Sequence, residues 1–140
     1  AAKEGCKYVD LLEVWPANIE GLKGEPPFRK LILGNGKATA EYVDQKYDLI
    51  FWWHGPEHIY DHEIPSAVES MKKVCNKYIV FGCPWGVYEQ DAVYGNPYEE
   101  HKSHLNPDFY ENLGFVTTTV SQPNHKLGNI TSWMDVRWEQ

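Results

Sequence analysis

The chain has 140 residues, 42% hydrophobic and 14% aromatic, with a formal net charge of −7. That length suits one domain, residues 1–140, with a sizeable core, and the aromatic content argues against disorder. The acidic balance and scattered lysines exclude tracking along nucleic acid or an anionic membrane, and no apolar run approaches the ~18 residues that span a bilayer.

Residues 1–5 read as the last turn of a helix stopped by Gly5. Tyr8 to Val14 forms a short strand, ending around Glu13 and Trp15. Pro16 suits a first helical position, with Ile19 and Leu22 as a brief apolar stripe before Gly24. Arg29 to Leu33 is a second strand, closed by Gly34-Asn35-Gly36, and Ala38 to Val43 supplies one or two helical turns. Leu49 to Trp53 is an unbroken apolar run, which predicts a strand covered on both faces. It leads into His54-Gly55-Pro56-Glu57-His58, at the carboxyl edge where open α/β sheets bind ligands.

Ile64, Ala67, Val68, Met71 and Val74 recur at helical spacing behind Pro65, and Tyr78 to Phe81 is a fourth strand ending in Gly82-Cys83-Pro84-Trp85-Gly86. The polar excursion Val87 to Ser103 is long for a connection, which suits a functional or mobile segment: an acceptor lid or a plain surface loop. Asn106-Pro107 caps a short helix that ends at Leu113-Gly114. Phe115 to Val120 is a strand. After a bend from Gln122 to Asn129, the alternation of Met134, Val136 and Trp138 with Trp133, Asp135 and Arg137 predicts the last one. Repeated strand–helix units followed by two joined strands predict an α/β fold, mostly parallel with a C-terminal antiparallel hairpin. Cys6, Cys75 and Cys83 are odd in number and lack CxxC spacing, so they read as reduced thiols of a cytoplasmic protein.

In order and spacing, these segments resemble the class I S-adenosylmethionine-dependent methyltransferases, whose sheet is Rossmann-like. Val9-Asp10-Leu11-Leu12-Glu13-Val14-Trp15 is similar to the family's second strand, and Leu31-Ile32-Leu33-Gly34-Asn35-Gly36 to its third strand and adenine-side loop. Tyr47 through Glu57-His58 resembles the fourth strand and its E-H turn. Tyr78 to Gly82 resembles the fifth, and Leu105 to Phe115 the helix and L-G-F step into the sixth. The resemblance implies S-adenosylmethionine as cofactor, with Glu13 on the ribose hydroxyls and Asn35 on the adenine edge. Trp15, Gly36 and Trp53 complete the implied cofactor set. The family's first strand and glycine-rich loop have no counterpart, so an N-terminally truncated, impaired methyltransferase is expected. Its second and fourth strands then have exposed edges that favour a homodimer.

The expected activity is methyl transfer to a small-molecule acceptor, with His54 or His58 as base and Glu57, Trp85, His101 and His104 toward the acceptor. Trp53-His54-Gly55-Pro56 stands where nucleic-acid methyltransferases carry an NPPY-type turn. The rival readings are a non-catalytic, self-associating remnant and a metal-dependent hydrolase. His54-Gly55-Pro56-Glu57-His58 satisfies the H-x-x-E-H pattern of a zinc protease subgroup, but that chemistry needs both histidines on one helical face. Gly55 and Pro56 oppose a regular helix there, proline by roughly 3 kcal/mol, so no metal is expected.

Overall fold

The computed structural model describes residues 5–126 and 128–139; the predicted turn at 1–5 lies outside them except for Gly5. The elements are β1 (Val9–Glu13), α1 (Pro16–Leu22), β2 (Phe28–Leu33), α2 (Thr39–Tyr42), β3 (Tyr47–Trp53), α3 (Ile64–Lys72), β4 (Cys75–Pro84), α4 (Pro107–Asn112), β5 (Val116–Val120) and β6 (Asn129–Asp135). No described helix is long and apolar enough to cross a membrane.

Two sheets share the strands. β1 pairs with β2 in parallel, while the second sheet has the order β3-β4-β6-β5. Within it β3 and β4 are parallel, and β6 runs antiparallel to both β4 and β5. The arrangement is a Rossmann-like α/β fold with the predicted C-terminal antiparallel pair. β1 and β3 are not paired through their backbones, and residues of both line the same cleft.

The core lies on one face of the four-stranded sheet. The predicted stripe Ile64, Ala67, Val68 and Met71 of α3 is buried there, with Tyr110 of α4, against Ile79, Phe81, Ile130 and Met134. Val74 falls beyond the helix. The expectation that β3 is covered on both faces is corrected: Leu49, Phe51 and Trp53 are 46%, 60% and 42% exposed, whereas Ile50 and Trp52 pack on the core. An apolar run marks the two faces as equally hydrophobic; among the described residues only one is covered. The last strand is also corrected. It begins at Asn129 and ends at Asp135, and Val136–Glu139 is a 3-10 turn. Cys75 and Cys83 are buried and Cys6 is exposed, and none of the three is disulfide-bonded among the described residues.

The β1–β2 layer carries no fully buried hydrophobic side chain and is tied on by polar contacts. Asp10 accepts from both Arg29 of β2 and, at 2.7 Å, the Tyr47 hydroxyl at the start of β3. The Arg29 guanidinium, aided by the Tyr47 hydroxyl, holds the Asp10 carboxyl below its usual range despite its burial. A carboxyl whose pKa is lower folded than unfolded contributes stability above the unfolded value, near ~3.9, and loses it as pH falls through the folded value. Acidifying from about pH 5 is therefore expected to lower the urea midpoint more steeply in the wild type than in Asp10→Asn. Because Arg29 is partly exposed, the difference is on the order of 1 kcal/mol. Parallel midpoint-against-pH curves for the two proteins would show that the Asp10 network contributes nothing.

Candidate functional site

The cleft between β1 and β3 has a volume of about 380 Å³, in the range of small-ligand sites. Strand ends and the loops after them supply several of its polar groups. Glu13, the last residue of β1, lines it, with its Oε1 fixed by the Trp15 N–H at 2.9 Å. Asn35 and Gly36 follow β2. The Asn35 side chain accepts from the Lys37 N–H at 3.0 Å and caps the next turn. Gly36 lies against Trp52, where a Cβ would stand 3.5 Å from the indole. Trp52 itself lines the cleft, backed by Phe81 at 5.3 Å between ring centroids.

At the mouth β3 ends abruptly. The His54 N–H still donates to the Gly82 carbonyl at 2.7 Å, but its own φ is +51°. That left-handed conformation is uncommon for a side-chain-bearing residue and turns the chain sharply out of the sheet. Pro56–His58 then forms a 3-10 turn. It is stitched to the far end of the long excursion, because Lys102 N–H and Ser103 N–H both donate to the Glu57 carbonyl, at 2.7 and 3.2 Å. The His58 Nδ1 reaches the Glu100 carbonyl at 3.2 Å, and His101 comes to lie edge-on to His58 at 4.9 Å.

Glu57 is buried beneath this turn, 3% exposed. Its Oε1 is 3.3 Å from His54 Nδ1 and 3.8 Å from His58 Nε2. Burial pushes its carboxyl up to about 7. Burial also lowers the pKa of His58, which keeps that imidazole neutral near neutral pH.

The predicted site residues thus divide. Glu13, Asn35, Gly36, His54 and His58 share the main cleft, and Glu57 and His101 join His54 and His58 in a smaller adjoining one. Trp53 points to the uncovered sheet face, its ring lying over Gly82 and stacked on Phe51 at 5.7 Å. Trp15 stands just outside the lining, edge-on to Tyr98 at 6.0 Å. Trp85 packs against the core and His104 is exposed; neither lines a cleft. Sequence reasoning did not single out Asp10, Lys37, Tyr47 or Lys102, all of which line the main cleft. Only Asp10 and Tyr47 carried a signal, being the strand-borne polar residues next to apolar runs.

In fold the chain is like the class I S-adenosylmethionine-dependent methyltransferases, a likeness that solved structures show. Solved structures with this fold include the N-methyltransferase NodS of Bradyrhizobium japonicum WM9, 14% identical with a TM-score of 0.61, where the match covers 93% of this chain and 74% of that one. The plantazolicin methyltransferase BamL, crystallised with a triazolic desmethylPZN analog and SAH, is 9% identical with a TM-score of 0.62, covering 94% and 69%. TehB of Haemophilus influenzae is 13% identical with a TM-score of 0.59, covering 90% and 49%, so this chain spans about half of TehB. No protein-family model matches the sequence, and no curated protein matches it. At these identities the likeness is one of fold.

Proposed function

We propose that the chain serves S-adenosylmethionine-dependent methyl transfer to a small-molecule acceptor. The observation that carries this reading is the convergence in one cleft of a strand-end carboxylate, Glu13, the Asn35-Gly36 loop and the Trp52 indole, with histidines at the mouth. A carboxylate suits the two hydroxyls of a ribose, and an indole wall beside an amide suits a purine ring. The cofactor supplies an electrophilic methyl on a sulfonium, so positioning and exclusion of water carry most of the rate. His54 and His58 line the same cleft and are the candidate bases for an acceptor's proton, which a neutral imidazole takes.

Calorimetric titration with S-adenosylhomocysteine tests the reading. Wild-type chain is expected to bind one equivalent, and Glu13→Ala to bind about tenfold or more weakly, since a hydrogen bond to a charged group contributes roughly 1.5–3 kcal/mol. Glu20→Ala, an exposed change on α1, serves as control. Absence of binding by the wild type would favour a non-catalytic domain instead.

A further inference from the structure

Glu57, His58 and His101 each offer one ligand atom, and these atoms all lie within 4.8 Å of one another. We propose that the three side chains form a binding site for a divalent first-row transition ion of the Zn²⁺ type. The inference rests on this geometry and stands apart from the methyl-transfer reading.

Glu57 gives the first reason. Its Oε2 is enclosed by protein and has no hydrogen-bond partner. Leaving a buried polar atom unsatisfied is costly, and buried carboxylates are ordinarily paired or bound to metal. A cation held by both oxygens of the carboxylate would satisfy it. The histidines give the second reason. His58 Nδ1 faces the Glu100 carbonyl at 3.2 Å, and His101 Nδ1 faces the Tyr88 carbonyl at 2.6 Å. A carbonyl only accepts, so each Nδ1 carries the hydrogen and each neutral ring keeps its lone pair on Nε2. Backbone carbonyls orient imidazole ligands in this way at metal centres.

The spacing is that of a site slightly open. Donors around Zn²⁺ at ~2.0–2.2 Å stand about 3.3 Å apart in a tetrahedron. His58 Nε2 and Glu57 Oε1 are 3.8 Å apart and no pair of the three exceeds 4.8 Å, so closing around an ion draws the side chains inward. Two imidazoles and one carboxylate suit Zn²⁺, Fe²⁺ or Co²⁺ better than Mg²⁺ or Ca²⁺, which prefer oxygen throughout. Three protein ligands leave a coordination position free, toward the small cleft that His54, Gln90 and Glu99 also line. An ion on His58 Nε2 would leave His54 as the base at the mouth.

The test uses the whole chain stripped with a chelator and titrated with Zn²⁺ alone, then with Mg²⁺ alone. One Zn²⁺ per chain is expected, with no comparable Mg²⁺ binding. Glu57→Gln and His101→Ala should each weaken Zn²⁺ by more than the roughly tenfold to hundredfold that outer-shell changes cost. His104→Ala, exposed and outside both clefts, should bind as the wild type does. A second readout needs no variant: Zn²⁺ should protect His58 and His101 from diethyl pyrocarbonate, mapped by mass spectrometry, while exposed His62 and His104 keep reacting. No stoichiometric Zn²⁺ binding, or binding that leaves His58 and His101 as reactive as before, overturns the proposal. So does affinity that Glu57→Gln and His101→Ala leave unchanged.

Discussion

Phe81→Ala is expected to cost about 3–5 kcal/mol, a large share of what holds the core together. Phe81 is wholly buried at the centre of β4. Its ring meets Trp52 edge-on at 5.3 Å, Phe115 at 5.2 Å and Tyr110 at 6.3 Å. Each neighbour comes from a different element: β3, the segment leading into β5, and α4. Removing the ring therefore opens a hole that no one element can fill by sliding. A domain of this kind has only about 5–15 kcal/mol of net stability, so the loss takes a large share of it. Phe81→Leu keeps most of the volume and should cost about 1.5 kcal/mol or less. Urea unfolding followed by tryptophan fluorescence measures both. An alanine variant within about 1 kcal/mol of the wild type would mean that the core does not depend on this ring.

The same cluster explains what was legible beforehand. Strand β4 and helix α3 were readable because burial there is one-sided or complete and the apolar spacing says so: Ile79 and Phe81 on the strand, Ile64, Ala67, Val68 and Met71 on the helix. Strand β6 was misplaced for an equally physical reason. Its inward Ser132 is fully buried and meets the Thr117 hydroxyl at 2.9 Å, so a core position carries a polar residue. Meanwhile Met134, Val136 and Trp138 keep a period of two through a chain that has already turned into a 3-10 helix. Alternation records which residues are apolar, and the backbone is free to bury them in another geometry.

For the site, strand ends were informative and the long excursion was not. Glu13, Asn35 and His54 fall at the carboxyl ends of β1, β2 and β3, where the fold places polar groups in a common cleft. His101 reaches His58 only because the backbone at Lys102 and Ser103 pairs with the Glu57 carbonyl. Such pairing between distant main-chain groups leaves no pattern in side chains. The H-x-x-E-H spacing falls on a loop whose Pro56–His58 is a 3-10 turn, not the regular helix that the zinc pattern needs. Glu57 and His58 sit at adjacent positions in a 3-10 turn, and His101 is the side chain whose ligand atom lies within 4.8 Å of both.

That turn also sets the second large effect, Gly55→Ala. The backbone of Gly55, with φ −123° and ψ −49°, is not left-handed, so the main objection is spatial. A Cβ at Gly55 would stand 1.7 Å from Trp52 Nε1 and 2.0 Å from its Cδ1, and the indole must move. Phe81 blocks it on the core side and Gly36 on the other, which leaves the cleft as the open direction. Overpacking of this kind costs roughly 1–3 kcal/mol in stability. An indole turned into the cleft would also occupy the space a nucleoside needs, so S-adenosylhomocysteine binding should fall by more than the stability change alone accounts for. Gly21→Ala provides the opposite sign. That glycine lies within α1 with nothing within 4 Å of its would-be Cβ, so alanine should raise stability by up to about 1 kcal/mol. Denaturation midpoints and the near-ultraviolet circular dichroism of the indoles separate the two. A Gly55→Ala protein with an unaltered indole spectrum and wild-type stability would show that Trp52 is not held in place by the absence of a side chain at position 55.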